Sequence, residues 1–197
     1  MSQPILRVCV FCGSSFGNRA AYREAASTLS ACLIEMGYSL VYGGAHVGLM
    51  GLIADSMLAA GAEVIGVIPR QLQEKEIAHR GLSRLHVVET MHERKALMAD
   101  LSDAFIALPG AYGTLDELFE IITWAQLGIH RKPIGILNID GYYDYLLAFL
   151  DNCVANGLLK QSNRELFLVD IEPRRLLARM AEHHPAPVAK WIGKESR

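Results

Sequence analysis

The stretch ILRVCVFCGSSFG, residues 5–17, runs a β-rich apolar segment directly into a turn holding Gly13, Gly17 and two serines. The segment ILRVCVF reads as a buried strand, and a helical pattern over Asn18 to Met36 follows the turn. Strand, glycine turn, helix is the unit of an α/β fold, and the rest of the chain repeats it. SLVY precedes a helical pattern over Gly48 to Ala60, EVIGVI a polar stretch, and RLHVVE a helix over Met91 to Leu101. AFIAL precedes Thr114 to Leu127, and PIGILN precedes Tyr142 to Ala155. Strands alternating with helices imply a mostly parallel sheet with helices on both faces, a doubly wound, Rossmann-like α/β architecture. LFLVD near residue 170 raises the expected strand count from six to seven, and EPRRLLARMAEHH reads as a last helix.

Composition sets outer limits. A chain of 197 residues, 51% apolar and 20% charged, fills one core, so the expected organisation is a single domain over 1–182 with a C-terminal tail over 183–197. A formal net charge of −2 argues against nucleic-acid or membrane-surface partners, which need a concentrated basic field. No apolar run approaches the about 20 residues of a membrane span, and the N-terminus reaches glycine and serine too soon for a signal peptide, so a cytoplasmic chain is expected. Cys9 and Cys12 form a C-x-x-C, but no second pair or paired histidine completes a metal site, and both read as small hydrophobes of a buried strand. His79, His92 and His130 lack metal-like spacing with acids, so neither a metal nor any other cofactor is expected.

Glycine turns follow three of the strands: CGSSFG after the first, YGGAHVG after the second and PGAYGT after the fifth. In a doubly wound sheet the C-terminal ends of parallel strands share one edge, where ligands bind, so all three turns can meet one ligand. The dinucleotide fingerprint G-x-G-x-x-G and the P-loop are both absent, which turns the reading away from dehydrogenases and P-loop ATPases. LPGAYGTLDELFEI, residues 108–121, poses a choice. Thr114 and Glu117 have the T-x-x-E spacing of a capping box, while the glycine turn feeding a helix N-terminus suits a phosphate. ETMHERKALM has the same ambiguity: Thr90 and Glu93 fit a capping box, and Arg94 with Lys95 project from the first helical turn.

In this order along the chain, CVFCGSS, YGGAHVGLMG, MHERKALM and PGAYGTLDELFE resemble the LOG family, the cytokinin riboside 5′-monophosphate phosphoribohydrolases, whose members were often labelled lysine decarboxylases. The resemblance implies hydrolysis of an (N6-substituted) adenosine 5′-monophosphate to free base and ribose 5-phosphate. It implies Arg94 and Glu117 as the catalytic pair, Gly110, Gly113 and Thr114 as the phosphate cradle, and Ser14, Gly44 and Lys95 as further contributors to the pocket. Glu76, in the long loop over 69–83, matches a recurrent family position and is a candidate lid contact. Homodimers are common in the family, so a second copy of this chain is an expected partner beside the nucleotide. One departure is Ala111, which stands where the family signature has its second glycine and is expected to obstruct the phosphate if that turn needs a positive φ or close backbone approach.

Two rival readings compete with that activity. A lysine decarboxylase needs pyridoxal phosphate on a buried lysine, and only Lys95 has a suggestive position. A non-catalytic carrier of a nucleotide or cofactor with the same fold, in the manner of molybdenum-cofactor carriers, would lack the Arg and Glu pair that this chain keeps.

Overall fold

The computed structural model describes residues 5–73 and 78–183. Seven strands form one sheet: β1 (Arg7–Phe11), β2 (Ser39–Tyr42), β3 (Val64–Pro69), β4 (Arg84–Val88), β5 (Ala104–Ala107), β6 (Ile134–Leu137) and β7 (Leu168–Asp170). Their order is β4-β3-β2-β1-β5-β6-β7, and every neighbouring pair is parallel. The helices between them are α1 (Ala20–Glu35), α2 (Gly48–Ala59), the single-turn α3 (Arg70–Gln73), α4 (Met91–Leu101), α5 (Tyr112–Gln126), α6 (Asp144–Ala155), the short α7 (Gln161–Arg164) and α8 (Pro173–Glu182).

The alternation of side chains along each strand divides the core in two. Val8, Val10, Leu40 and Tyr42 pack with Leu29 and Leu33 of α1, Ile53 and Met57 of α2, and Leu176 and Leu177 of α8. Their sequence neighbours Cys9, Phe11 and Val41 point the other way, onto Met98 of α4 and Leu118, Ile121 and Ile122 of α5. Cys9 and Cys12 therefore sit in different cores as free, buried thiols, and burial pushes both pKa values up. They behave as the small hydrophobes expected of them.

The sheet carries the seventh strand and the last helix where the sequence puts them, and a carboxylate fixes the corner between the two. Asp170 Oδ1 accepts from the backbone N–H of Ile171 and Glu172, and its two oxygens accept from the Arg175 guanidinium, with Nε at 2.9 and 2.8 Å. Arg179 Nη1 adds a bond to Oδ2 at 2.9 Å. Hydrogen bonding from Arg175 first, and then from the amides and Arg179, holds this carboxyl well below the usual carboxylate range. A lowered folded-state pKa means that the stabilisation is present above the unfolded value of about 3.9 and is lost as pH falls below it. Asp170→Asn is expected to remove about 2 kcal/mol of unfolding free energy at pH 7, after allowance for the exposed arginine ends. Urea denaturation checks this, and an unchanged midpoint would assign the corner's stability to α8 packing alone.

Helix boundaries differ from the sequence reading at one consequential place. The helix expected from Thr114 begins at Tyr112, with Ala111 as its N-cap. Ala111 has φ −103°, outside the left-handed region, so the backbone conformation does not demand a glycine there. The connection over 69–83 is less irregular than expected: α3 opens it, and Ala78 forms an antiparallel bridge with Ala45. Glu76 and the tail beyond His183 lie outside the described residues.

Candidate active site

The C-terminal ends of β1, β2 and β5 bring the three glycine turns together. Gly13 N–H donates to Pro109 O at 3.1 Å, and Leu49 N–H donates to Gly13 O at 3.1 Å, which ties all three. The approach is too close for side chains. A Cβ on Gly110 would lie 2.1 Å from Thr114 Oγ1, and one on Gly48, whose φ is +57°, would lie 2.3 Å from the carbonyl carbon of Ser14. Between the turns opens a cavity of about 660 Å³, with Ser14, Gly43, Arg94, Gly110, Thr114 and Glu117 in its wall.

No side chain caps α5, so the amides of its first turn are free to face an anion. The two T-x-x-E patterns thus part company. Thr90 and Glu93 form a true capping box at α4, with Glu93 N–H donating to Thr90 Oγ1 at 3.1 Å and Thr90 N–H donating to Glu93 Oε2 at 3.3 Å. Thr114 and Glu117 lie inside α5, in its first and second turns, and cap nothing.

Relieved of capping, Glu117 faces Arg94. Arg94 Nη2 stands 3.4 Å from Glu117 Oε1, and the side chains are only 10% and 12% exposed. Burial pushes the Glu117 carboxyl up to about 7, against the pull of the Arg94 charge. An acid poised near neutrality beside a fixed cation in a cleft is suited to charge stabilisation or proton transfer near pH 7. Among the described residues Arg94 keeps unused donor capacity, since its Nε is buried without a partner there and Nη1 meets Met91 Sδ at 3.9 Å. Gly43 makes room for that guanidinium: a Cβ there would lie 1.9 Å from Arg94 Nη2.

Known proteins resemble the chain along most of its length. The family described as "Possible lysine decarboxylase" matches residues 50–180. A cytokinin riboside 5′-monophosphate phosphoribohydrolase of Arabidopsis thaliana is 51% identical over 179 residues, covering 91% of this chain and 78% of that protein. The rice (Oryza sativa subsp. japonica) enzyme of that name, LOG, is 48% identical over 179 residues, covering 91% of this chain and 74% of its own. The chain belongs to the LOG family. Among solved structures, the molybdenum cofactor binding protein of Rippkaea orientalis superposes with a TM-score of 0.68 at 19% identity, covering 92% of this chain and 98% of its own. The carrier protein for that cofactor from Chlamydomonas reinhardtii gives 0.66 at 17%, covering 90% and 97%. At such identities the two share this LOG-family chain's fold and nothing more can be transferred from them.

The residues singled out in the sequence separate into three groups. Ser14, Arg94, Gly110, Gly113, Thr114 and Glu117 all line the cavity of this LOG-family chain. Gly44 and Lys95 do not. Gly44, with φ +73°, turns the chain so that its carbonyl accepts from His79 N–H at 2.8 Å. Lys95 was expected in the pocket, but its ammonium is held by Asp116 at 3.1 Å and Glu120 at 3.2 Å, both on α5. Glu76 falls outside the described residues.

Two contributors went unnoticed in the sequence. Gly43 is one, and the pair Tyr142 and Tyr143 is the other. Tyr142 Oη donates to Gly110 O at 2.8 Å and Tyr143 Oη to Leu108 O at 2.7 Å, so the segment after β6 grips the carbonyls on either side of Pro109. Among the described residues, no three or more His, Cys, Asp or Glu side chains gather as a metal site would require.

Proposed function

We propose that this chain hydrolyses the N-glycosidic bond of adenosine 5′-monophosphates, N6-substituted ones by preference, to free base and ribose 5-phosphate. The observation that carries the proposal is the buried Arg94–Glu117 pair set across one cavity from the uncapped first turn of α5. A phosphate seated on those amides, with Gly110, Gly113, Thr114 and Ser14 around it, directs the ribose toward Glu117. The names of relatives at about half identity support the same substrate.

Scission of the bond from C1′ to N9 sends its electron pair to the base and leaves an oxocarbenium-like ribose. Ionised Glu117 stabilises that charge and orients the water whose oxygen adds to C1′ and whose proton ends on the base. Arg94, always protonated, stabilises the electron density that the leaving group gains or clamps the phosphate.

A lysine decarboxylase needs a neutral amine in the cavity to hold pyridoxal phosphate, and the residues here do not fit that group. No lysine is among the described residues that line the cavity, and Lys95 is held as an ammonium by two carboxylates. The non-catalytic carrier reading gives no use for an acid poised near pH 7 against a buried arginine.

The nucleotide is a monophosphate by donor count. One uncapped helix end and a single arginine match one phosphate; the sequence has no P-loop, and the described residues offer no acid cluster to hold a metal for a triphosphate. AMP or its N6-substituted analogue is therefore expected to yield base and ribose 5-phosphate, with adenosine and ATP at least about tenfold lower in kcat/KM. Chromatography of the base released from each nucleotide measures this. Equal efficiency on adenosine and AMP would replace the phosphoribohydrolase reading with that of a nucleoside hydrolase.

We further infer one catalytic domain over 1–182, working in the cytoplasm as a homodimer. Four free cysteines suit a reducing compartment. Tyr112, Tyr145 and Phe149, at 91%, 92% and 61% exposure on α5 and α6, offer apolar surface for a second copy.

A further inference from the structure

Lys95 lies next to Arg94 on α4, yet it takes no part in the cavity wall. Its ammonium is only 10% exposed and meets two carboxylates one turn apart on α5, Asp116 Oδ2 at 3.1 Å and Glu120 Oε2 at 3.2 Å. Those two acids stand on either side of Glu117 in the helix that carries it, at positions one before and three after. We propose that Lys95 is a positioning residue for the glycosidic step: it neutralises Asp116 and Glu120 and staples α4 to α5, so that Glu117 stays ionised beside Arg94. This rests on the phosphoribohydrolase reading and gives Lys95 a role other than phosphate binding.

The charges around Glu117 make the argument concrete. Arg94 and Lys95 approach from α4, Asp116 and Glu120 belong to α5, and the Cys9 and Cys12 thiols lie below on β1 and its turn. Asp116 and Glu120, within two turns of Glu117 on the same helix, both raise the proton affinity of its carboxyl. Arg94 and Lys95 set against the three acids leave a net charge of about −1, and without Lys95 it would be about −2. Burial already carries Glu117 to about 7 with this arrangement intact. Without the ammonium the acid limb of the reaction would lie higher still.

A phosphate-binding lysine and a positioning lysine behave differently when the network is made neutral. Lys95→Met leaves Asp116 and Glu120 unpaired, and the acid limb of kcat/KM for AMP is expected to move up by about one pH unit from its wild-type position near 7. At pH 6 that shift is a loss of about tenfold, largely recovered by pH 9. The triple variant Lys95→Met, Asp116→Asn, Glu120→Gln removes the cation and both acids together, and its acid limb is expected to return to the wild-type position or below, with KM for AMP within about threefold of wild type. Circular dichroism of each variant confirms that α4 and α5 remain docked. A pH-independent rise in KM for AMP that persists in the triple variant would overturn the proposal and make Lys95 a phosphate ligand. An unmoved acid limb in Lys95→Met would overturn it equally. Failure of wild type to cleave AMP at all would instead strike the underlying reading, so the two failures are separable.

Discussion

Glu117→Gln is expected to lower the rate of base release from AMP by about 10²- to 10⁴-fold while the protein stays folded. Glutamine fills the same space and keeps a hydrogen-bonding oxygen toward Arg94, but it cannot offer negative charge to an oxocarbenium centre or accept a proton from water. The fold has little to lose, because Ala111 rather than Thr114 is the N-cap of α5 and Glu117 holds no helix end. The linkage has the same sense. A carboxyl whose folded pKa is raised to about 7 binds a proton in the folded state that the unfolded state has released above its ordinary value of 4.5. Stability therefore falls as pH rises across that window, and a neutral isostere escapes the loss. Thermal melting at pH 8 should place the variant within a few degrees of wild type or above it, beside a rate assay showing turnover near background. Turnover close to wild type would return Glu117 to a purely structural role.

The second large effect concerns a residue with no side chain. Gly43→Ala is expected to cost about 100-fold in kcat/KM with little change in melting temperature. The added Cβ would fall 1.9 Å from Arg94 Nη2, and of the two partners only the guanidinium, at the end of a long side chain, can move. The backbone keeps its path and the fold survives. The cation is driven off the line that sets it 3.4 Å from Glu117, and a displacement of that size is enough to unmake a preorganised site. Arg94→Lys supplies the reference, since an ammonium cannot reproduce the planar fork. If the glycine acts only through Arg94, Gly43→Ala adds almost nothing on top of Arg94→Lys, and a double-mutant cycle will show strong non-additivity. Additive losses would mean that Gly43 serves the ligand directly.

Local patterns in the chain carried the architecture and half of the site. Seven apolar runs and the glycines after three of them suffice to predict the sheet, and the motifs around Arg94 and Glu117 point to the two charges that meet at the cavity. The boundary of α5 escaped because T-x-x-E is a local pattern that two helices share. At α4 the chain enters through an extended residue, Thr90 at φ −124° and ψ 160°, and the box closes. At α5 the PG turn admits the chain into the helix two residues sooner, which leaves Thr114 and Glu117 already inside it. Gly43 escaped for another reason. The atom it makes way for belongs to Arg94, across the crossover from β2 to α4, and no window along the sequence contains both. The same holds for Tyr142 and Tyr143, which reach back to Gly110 and Leu108. The placement of Lys95 against α5 escapes the sequence because basic residues beside an arginine look alike whether they face a cavity or a neighbouring helix. Only the packing of α4 on α5 distinguishes the two.

The place of β1 in the middle of the sheet governs how the site comes into being during folding. Val8 pairs with Leu40 on one side and with Ala104 on the other, and the Asp103 carboxylate accepts from the amides of Leu6 and Arg7 at 3.0 and 2.9 Å. A nascent chain can complete the first pairing early, but one edge of β1 stays open until β5 has been made. Closing so long a loop is slow, and an apolar strand waiting unpaired is the usual point of entry for aggregation. The turn that holds Ser14 cannot meet Gly110 before that closure, so the cavity cannot form until β5 has paired, and a chain stalled before β5 presents a sticky strand edge in its place.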